Sequence, residues 1–513
     1  MPGFSYSLLL LRLMPETILV LGGIFILFLD QSLSKNWDSR KRSVALSLLA
    51  ALTSVVAIIW IECQPRFDDW LNGMYLLNPL VAIVKQFVLV LLVFTILIAP
   101  ADKFTKHLGE YYSLLLFGAV GLLAMVSTEE LLVAFIGLET ASLTLYILTA
   151  FNKHNITAAE GALKYFLFGS ASAAFTLFGI SLIYGLAGST SFSSIAQTLR
   201  SGTLDPLLLL ALAMTAIGFG FKIAAVPMHL WAPDAYQGAP IPSAALIASG
   251  SKLASFFLFA KFFIYAFPHQ AGSAAWASSV SGWVPVLAIM ALASVLFGNL
   301  VAISQSNVRR LLAYSAIAHG GYALLGIMAF NERGIAAIIY YMFTYGLAVI
   351  GIFGIIGLLE SRHGMIRLED FAGLSRKSPL IAGCLMIFVL SLAGIPPLAG
   401  FFGKFYVFLA ALQSSSAKPA GLLWLVIAAV AGSAVSLYYY LQILKQAYVV
   451  DADEGAERLW VPWPQTAVLA VLAAAVIVFG CLPDLILNPL ETAARNRPAP
   501  SAAMPAEMTA VYR

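Results

Sequence analysis

Charge is the component this sequence has least of. Of 513 residues only 11% are Asp, Glu, Lys or Arg, whereas 61% are hydrophobic. A soluble domain is nearer one quarter charged, so a water-soluble enzyme is excluded. Cysteine is scarce too. Cys63, Cys384 and Cys481 are far apart and form no CxxC pair, so no disulfide framework, zinc site or iron–sulfur site is expected. No basic run exceeds Arg40-Lys41-Arg42, which excludes nucleic acid as a partner. Nucleotide-binding loops and haem-ligand motifs are lacking as well. The GFG and AGFFG fragments lie inside apolar runs, where they permit packing or bending and do not cradle phosphate. The chain is therefore expected to hold no metal, cofactor or redox centre of its own.

What is present is a long series of apolar stretches. A helix crossing the hydrocarbon needs about 20 mostly apolar residues. Fourteen stretches qualify: 8–29, 43–61, 79–99, 111–127, 129–151, 161–185, 207–230, 241–265, 281–303, 308–329, 334–360, 380–412, 421–446 and 465–487. They do not alternate in polarity, and membrane barrels use spans of about 10 residues. The fold class is thus an all-α membrane protein of about 14 transmembrane helices, with the lipid bilayer as its solvent. The first stretch follows no basic region and precedes no small-residue cleavage site, so a retained helix is expected. The segment 491–513, rich in Ala and Pro, is expected to be disordered.

Basic residues in loops give the orientation. Loops after odd-numbered spans hold 14 of them, and loops after even-numbered spans hold only Arg66, Arg200, Arg333 and Lys418. Odd loops are therefore expected in the cytoplasm and both termini on the outer face. Three arginines in the C-terminal tail oppose this weakly.

Seven basic residues fall inside spans, all of them lysine: Lys85, Lys164, Lys222, Lys252, Lys261, Lys404 and Lys445. Arginine cannot lose its proton in a protein, whereas a buried lysine can. Lys85, Lys261 and Lys445 lie within about two turns of a span end and are expected to snorkel to the headgroups. Glu139, Lys164, Lys222, Lys252 and Lys404 lie deeper, Lys164 least so, and Glu139 is the one acidic residue near mid-span. Each central charge costs roughly 3 kcal/mol on insertion scales, and five cost on the order of 15 kcal/mol. That matches the whole stability of an ordinary domain, so mere tolerance is a poor explanation and an ion path the default. Desolvation favours the neutral amine and a nearby carboxylate the charged one. A movable Glu–Lys pair is thus a switch for protons. Sodium would need more oxygen ligands than one central carboxylate supplies.

Two spans carry prolines beside their lysine. Span 7 reads GFGFKIAAVPMHLW, with Pro227 five residues after Lys222. Span 12 reads SLAGIPPLAGFFGKFYVF, with Pro396 and Pro397 before Lys404. Proline breaks the helical ladder, and in a membrane the freed groups must meet protein or water. Paired broken helices point to a transport site at the midplane. The breaks are five spans apart, an odd offset, so spans 4–8 and 9–13 can be two five-helix units of inverted topology. The expected segments are a three-helix region at 1–105, a first half-channel at 106–265, a second at 281–450, a helix within 460–490, and the tail. His229, just past Pro227, is the better relay candidate. His319, mid-span in the second unit, reads slightly more readily as a hydrogen-bonded packing residue than as a relay.

At these residues a family resemblance emerges. FIGLETASLTLYILTAFN, AAEGALKYFLFGSASAAF, GFKIAAVPMHLWAPDAYQGAPIPSAALIASGSKLASF, QSNVRRLLAYSAIAHGGY and SLAGIPPLAGFFGKFYVF occur in order within roughly 75–450. Together they resemble the antiporter-like membrane subunits of respiratory complex I, and most narrowly the subunit N group of bacterial NADH–quinone oxidoreductases. No long C-terminal extension for the lateral helix of subunit L is expected. Subunit M usually has glutamate where Lys404 stands, and the photosynthetic counterpart of subunit N remains a close alternative. The resemblance implies a proton path in which Glu139 pairs with Lys222, Lys252 carries the proton along the midplane, Lys404 serves the second half-channel, and Lys164 lies between Glu139 and the central chain. Arg309 stands where many members have lysine, which weakens any titrating role there. The resemblance also implies that NADH, FMN, iron–sulfur clusters and quinone belong to partner subunits, that neighbouring antiporter-like and hydrophilic subunits complete the complex, and that it sits in the bacterial inner membrane. Two rival functions are a subunit of a multi-subunit cation/proton antiporter and a structural membrane anchor.

Overall fold

The computed structural model describes residues 6–32, 37–66, 72–99, 104–200, 205–276, 278–364, 367–415, 421–451 and 461–496. Lys35, Lys103, Lys418, Arg458 and all of the tail from 497 onwards lie outside them. The described chain is almost wholly helical. The first half runs α1 (Tyr6–Arg12), α2 (Met14–Ser32), α3 (Ser39–Cys63), α4 (Pro79–Ile98), α5 (Leu108–Ser127), α6 (Leu131–Thr149), α7 (Ile156–Ala187), α8 (Phe192–Thr198), α9 (Pro206–Lys222), α10 (Ala232–Gly238), α11 (Ile241–Ala248) and α12 (Gly250–Lys261). A hairpin pairs β1 (Ser273–Ala275) with β2 (Ser278–Val280), antiparallel, with Ser273 opposite Val280. Then come α13 (Trp283–Ile303), α14 (Val308–Met328), α15 (Glu332–His363), α16 (Leu374–Lys377), α17 (Pro379–Ala393), α18 (Ala399–Ser415), α19 (Leu423–Tyr448), α20 (Trp463–Cys481) and α21 (Asp484–Arg495).

Twelve helical stretches of the described residues are long and apolar enough to cross a membrane. Spans seven and twelve of the sequence reading instead appear as the shorter apolar helices α9 and α17, each ending at its break. α21 extends the chain to Arg495, so the expected disorder does not begin at 491. Asparagine side chains start several helices. Asn78 accepts from Val81 N at 2.9 Å, with Pro79 opening α4, and Asn155, Asn307 and Asn331 cap α7, α14 and α15 in the same way.

The centre of the molecule is α11–α12 and α15, whose membrane-length windows are wholly buried, with α14 nearly so. Around α15 pack α18, α17, α20, α21, α11, α12 and α4. Lys252, on α12, and Lys404, on α18, belong to elements packed against this centre. A feature absent from the sequence reading breaks the eighth span as well. Ser249 departs from helical geometry at φ −116°, ψ −88°, separating α11 from α12. The ASGSK run supplies the cause, since Ser/Gly pairs are recurrent kink sites.

Two of the lysines expected to snorkel do not. Lys85 is fully buried in α4 and donates to Glu16 Oε1 at 2.6 Å and to the Tyr75 hydroxyl at 2.7 Å. Lys261 is buried at the end of α12 and donates to the carbonyls of Val126 and Thr128, at 2.7 and 2.6 Å. It thereby satisfies the open C-terminus of α5, where a cation is favoured. Both are buried on inward faces among protein partners; Lys445 alone of the three is exposed. Glu139 is likewise not the only carboxylate within the helices: Glu16 and Asp30 are buried in α2, and Asp30 is held by Arg42 and by Gly109 N at 2.9 Å.

Removing one partner of a buried ion pair leaves the other charge uncompensated, at a cost of about 3–5 kcal/mol. Lys85→Met is therefore expected to lower the thermal midpoint of the detergent-solubilised protein sharply, and Lys85→Met with Glu16→Leu to recover most of the loss. Equal midpoints for the single and double variants would remove the role assigned to this pair.

Candidate functional site

Lys222 is the last residue of α9. The chain then turns through Ile223–Trp231 before α10, with Ala224 at φ +56° and a cis bond before Pro227. Two side chains satisfy backbone groups freed by the turn. Trp231 donates its indole N–H to the Phe221 carbonyl at 3.1 Å, and Ser294 Oγ accepts from Val226 N at 2.9 Å. Trp231 also stacks on Tyr165, with centroids 4.0 Å apart. The Lys222 amine is buried in this aromatic pocket. Its polar neighbour is the Tyr165 hydroxyl at 3.5 Å, and the rings of Tyr165 and Tyr146 lie 5.6 and 5.9 Å away.

Glu139 stands on α6, two turns before Tyr146. Its charge acts on Lys222, but the two do not meet in an ion pair. The carboxylate is half-buried on a helix face that otherwise exposes Leu132, Ile136, Leu143 and Ile147. A half-open carboxylate amid aliphatic surface is what an interface, and not lipid, would cover.

Lys252 sits in the first turn after the Ser249 break and donates to the Ala316 carbonyl of α14. The Tyr345 ring lies 5.8 Å from its amine. One turn beyond Ala316 comes His319, buried in a cage of phenols. Its two ring nitrogens contact the hydroxyls of Tyr341 at 2.6 Å and Tyr440 at 3.0 Å. On one side its ring meets Tyr345, centroids 4.8 Å apart; on the other it meets Tyr322, at 5.7 Å. The Tyr322 ring in turn lies 5.4 Å from the Lys404 amine. His319 thus stands between Lys252 and Lys404.

Lys404 occupies the second turn of α18, and the break before it explains its position. Residues 394–398 lift off the helical path, with a cis bond between Pro396 and Pro397, and leave the last carbonyls of α17 open. The Lys404 amine takes up Leu392 O and Ala393 O at 3.0 and 3.1 Å, and Ser433 Oγ at 2.9 Å. All three of its N–H groups are used. Gly394, at φ +88°, takes a left-handed conformation that favours glycine, and a Cβ there would lie a tight 3.3 Å from the amine.

Two expected members stand elsewhere. Lys164 is half-exposed at the start of α7 and bound to Glu160 at 2.6 Å and Asp234 at 2.8 Å. It belongs to an ion network at the face expected to be cytoplasmic, not to a position between Glu139 and the central row. Asp234 also takes Arg310, and nearby Arg309 is paired with Glu360 and donates to the Gln237 and Ala239 carbonyls. His229 turns outward past the break, its ring against Phe297 and its Nδ1 3.3 Å from Pro227 O. It contacts no buried lysine among the described residues, so the order of the two histidines is the reverse of that expected. The phenol cage itself gave no sequence signal beyond the frequency of tyrosine, because its members come from three separate helices, α14, α15 and α19.

Replacing His319 by Phe would strand the Tyr341 hydroxyl and leave that of Tyr440 with Ser315 as its partner, and an orphaned buried group costs about 1–3 kcal/mol. The His319→Phe protein is expected to unfold at a clearly lower temperature in detergent, and His319→Asn, which keeps a donor and an acceptor, to lose less. Indistinguishable midpoints for the two would contradict the cage.

Comparison with known proteins agrees with this architecture. A family described as NADH:quinone oxidoreductase/Mrp antiporter, TM, matches residues 128–435. The NADH-quinone oxidoreductase subunit N 2 of Acidobacterium capsulatum is 47% identical, over 94% of this chain and 99% of its own. A chain of respiratory complex I from Thermus thermophilus with bound aureothin superposes with a TM-score of 0.76 at 30% identity, covering 93% of this chain and 99% of that one. A chain of the Mrp complex from Dietzia shares the fold, with a TM-score of 0.76 at 21% identity over 97% of this chain and 99% of that one. A multi-span helical chain with a buried lysine beside each of two helix breaks, related at this level to subunit N proteins, belongs to the NADH:quinone oxidoreductase/Mrp antiporter family of membrane subunits.

Proposed function

We propose that this chain is a proton-translocating membrane subunit of a complex I-type NADH–quinone oxidoreductase. The observation that carries the proposal is the buried row Lys222, Lys252, His319 and Lys404, lined by phenols and without a carboxylate in direct contact with any of its amines. Such a row conducts protons and offers a sodium ion too few oxygens. The relatives named subunit N favour the respiratory complex over the antiporter.

In this reading α9 and α17 cross together with the segments beyond their breaks, giving 14 spans and two five-helix units of opposite direction. NADH, FMN, iron–sulfur clusters and quinone act in partner subunits, and the energy arrives through the membrane. A neighbouring subunit covers the α6 face that carries Glu139. The complex lies in the bacterial inner membrane, and both termini of this chain face outward.

Glu139 is the switch. Moving a carboxylate from ~4 to ~8 Å from an ammonium, at an effective dielectric of ~20, changes their interaction by about 2 kcal/mol. Quinone reduction shifts charge or a helix at the covered face. Lys222 then loses its counter-charge and releases a proton toward Lys252. The proton passes the His319 cage, where each phenol can accept one hydrogen bond while donating another. It reaches Lys404 and leaves on the outer side.

Lys222→Ala and Glu139→Ala, each in an assembled complex in inverted membrane vesicles, are expected to lower NADH-driven proton uptake at least tenfold, and Glu139→Asp to lower it less. Normal uptake by an intact Lys222→Ala complex would remove the proposal.

A further inference from the structure

In a low-dielectric interior nearly every buried polar atom has a hydrogen-bond partner, and each exception asks for a cause. Beside the lysine row two phenol hydroxyls are exceptions, those of Tyr146 and Tyr236. Tyr236 is the more telling. It stands on α10, the short helix after the first break, and is 1% exposed. Its ring packs edge-on against Phe353 of α15, with centroids 6.0 Å apart.

The neighbours of its hydroxyl give the site its meaning. Tyr165 and Tyr345 both lie within electrostatic reach of it. Tyr165 is the hydrogen-bond partner of Lys222, at 3.5 Å. Tyr345 faces Lys252, with its ring 5.8 Å from the amine. The supporting elements match: α10 packs against α7, which carries Tyr165, and against α14, whose Ala316 carbonyl holds Lys252. The row already has a bridge between Lys252 and Lys404 in the His319 cage. Between Lys222 and Lys252 no side chain hydrogen-bonded to both appears among the described residues. A residue wanted only for packing would serve better as Phe, which brings no hydroxyl to satisfy.

Given the function proposed above, we propose that the Tyr236 hydroxyl, joined by water to Tyr165 and Tyr345, relays protons between Lys222 and Lys252. The transfer balances without any redox change. An N–H bond of the Lys222 ammonium breaks, and its proton joins the water chain. The Tyr236 oxygen accepts a proton from that side as its own phenolic proton leaves toward Lys252. The neutral Lys252 amine takes up the last proton in the chain. Tyr236 ends neutral, and rotation of its O–H bond resets it for the next transfer.

Tyr236→Phe keeps the ring and removes only the oxygen. In the assembled complex in vesicles it is expected to slow proton-coupled NADH oxidation at least fivefold and to at least double the solvent deuterium isotope effect on that rate. Tyr236→His, which again donates and accepts, is expected to recover half or more of the rate. A Tyr236→Phe complex within twofold of the unaltered one in both rate and isotope effect would overturn the relay. Should Tyr236→Phe fail to assemble, Tyr165→Phe cuts the same bridge at its Lys222 end, with the same two outcomes. Lys222→Ala is measured in parallel. Loss of uptake there beside a normal Tyr236→Phe complex defeats the relay alone, whereas normal uptake by Lys222→Ala defeats the function on which it rests.

Discussion

Hydrocarbon offers no hydrogen bonds, so every backbone group freed inside this protein needs a donor or acceptor from the protein itself. The site follows from that constraint. Each broken helix opens carbonyls, and the side chain that closes them is fixed in place by doing so. At the second break the closing group is the Lys404 amine, spread over two carbonyls and a serine. At the first it is the Trp231 indole, and the lysine is left facing a single phenol. Lys252 follows the same rule with a carbonyl from a neighbouring helix, and Lys261 with two carbonyls at a helix end.

The two breaks are therefore alike in plan and unlike in detail. Lys404 sits after its break and serves as a structural cap in one of its positions. Lys222 sits before its break and is sheltered by aromatic rings, with little that is polar to hold it. A group meant to respond to a distant carboxylate benefits from having few other partners, since competing hydrogen bonds would blunt the response. Glu139 is suited to the complementary part. It is half-buried, makes no ion pair with Lys222, and is set on a helix face that exposes aliphatic side chains.

Much of this was visible in the sequence. Apolar run length marked the helices, and lysine–proline proximity marked both breaks. What was hidden shares one property: it depends on partners far apart in the chain. Nothing near Lys85 announces Glu16, 69 residues away, so snorkelling was the natural expectation from position alone. His319 is surrounded by phenols from α14, α15 and α19, and its pairing with Tyr440 spans 121 residues. Lys164 lies at the right depth by count, yet an acidic neighbour one turn away and Asp234 across the groove draw it to the surface. The Ser249 break could have been suspected from ASGSK, but Ser and Gly interrupt membrane helices far less reliably than proline does.

Asp234 has a mechanical consequence. It begins the short helix beyond the first break, and its two oxygens are gripped from opposite directions, by Lys164 of α7 and Arg310 of α14. A single carboxylate thus ties the segment after the first break to α7 and to α14 at once. A displacement of α10 away from either helix would have to break or lengthen one of these two ion pairs, so the strap joins the helix of Lys164 to the helix that bears His319.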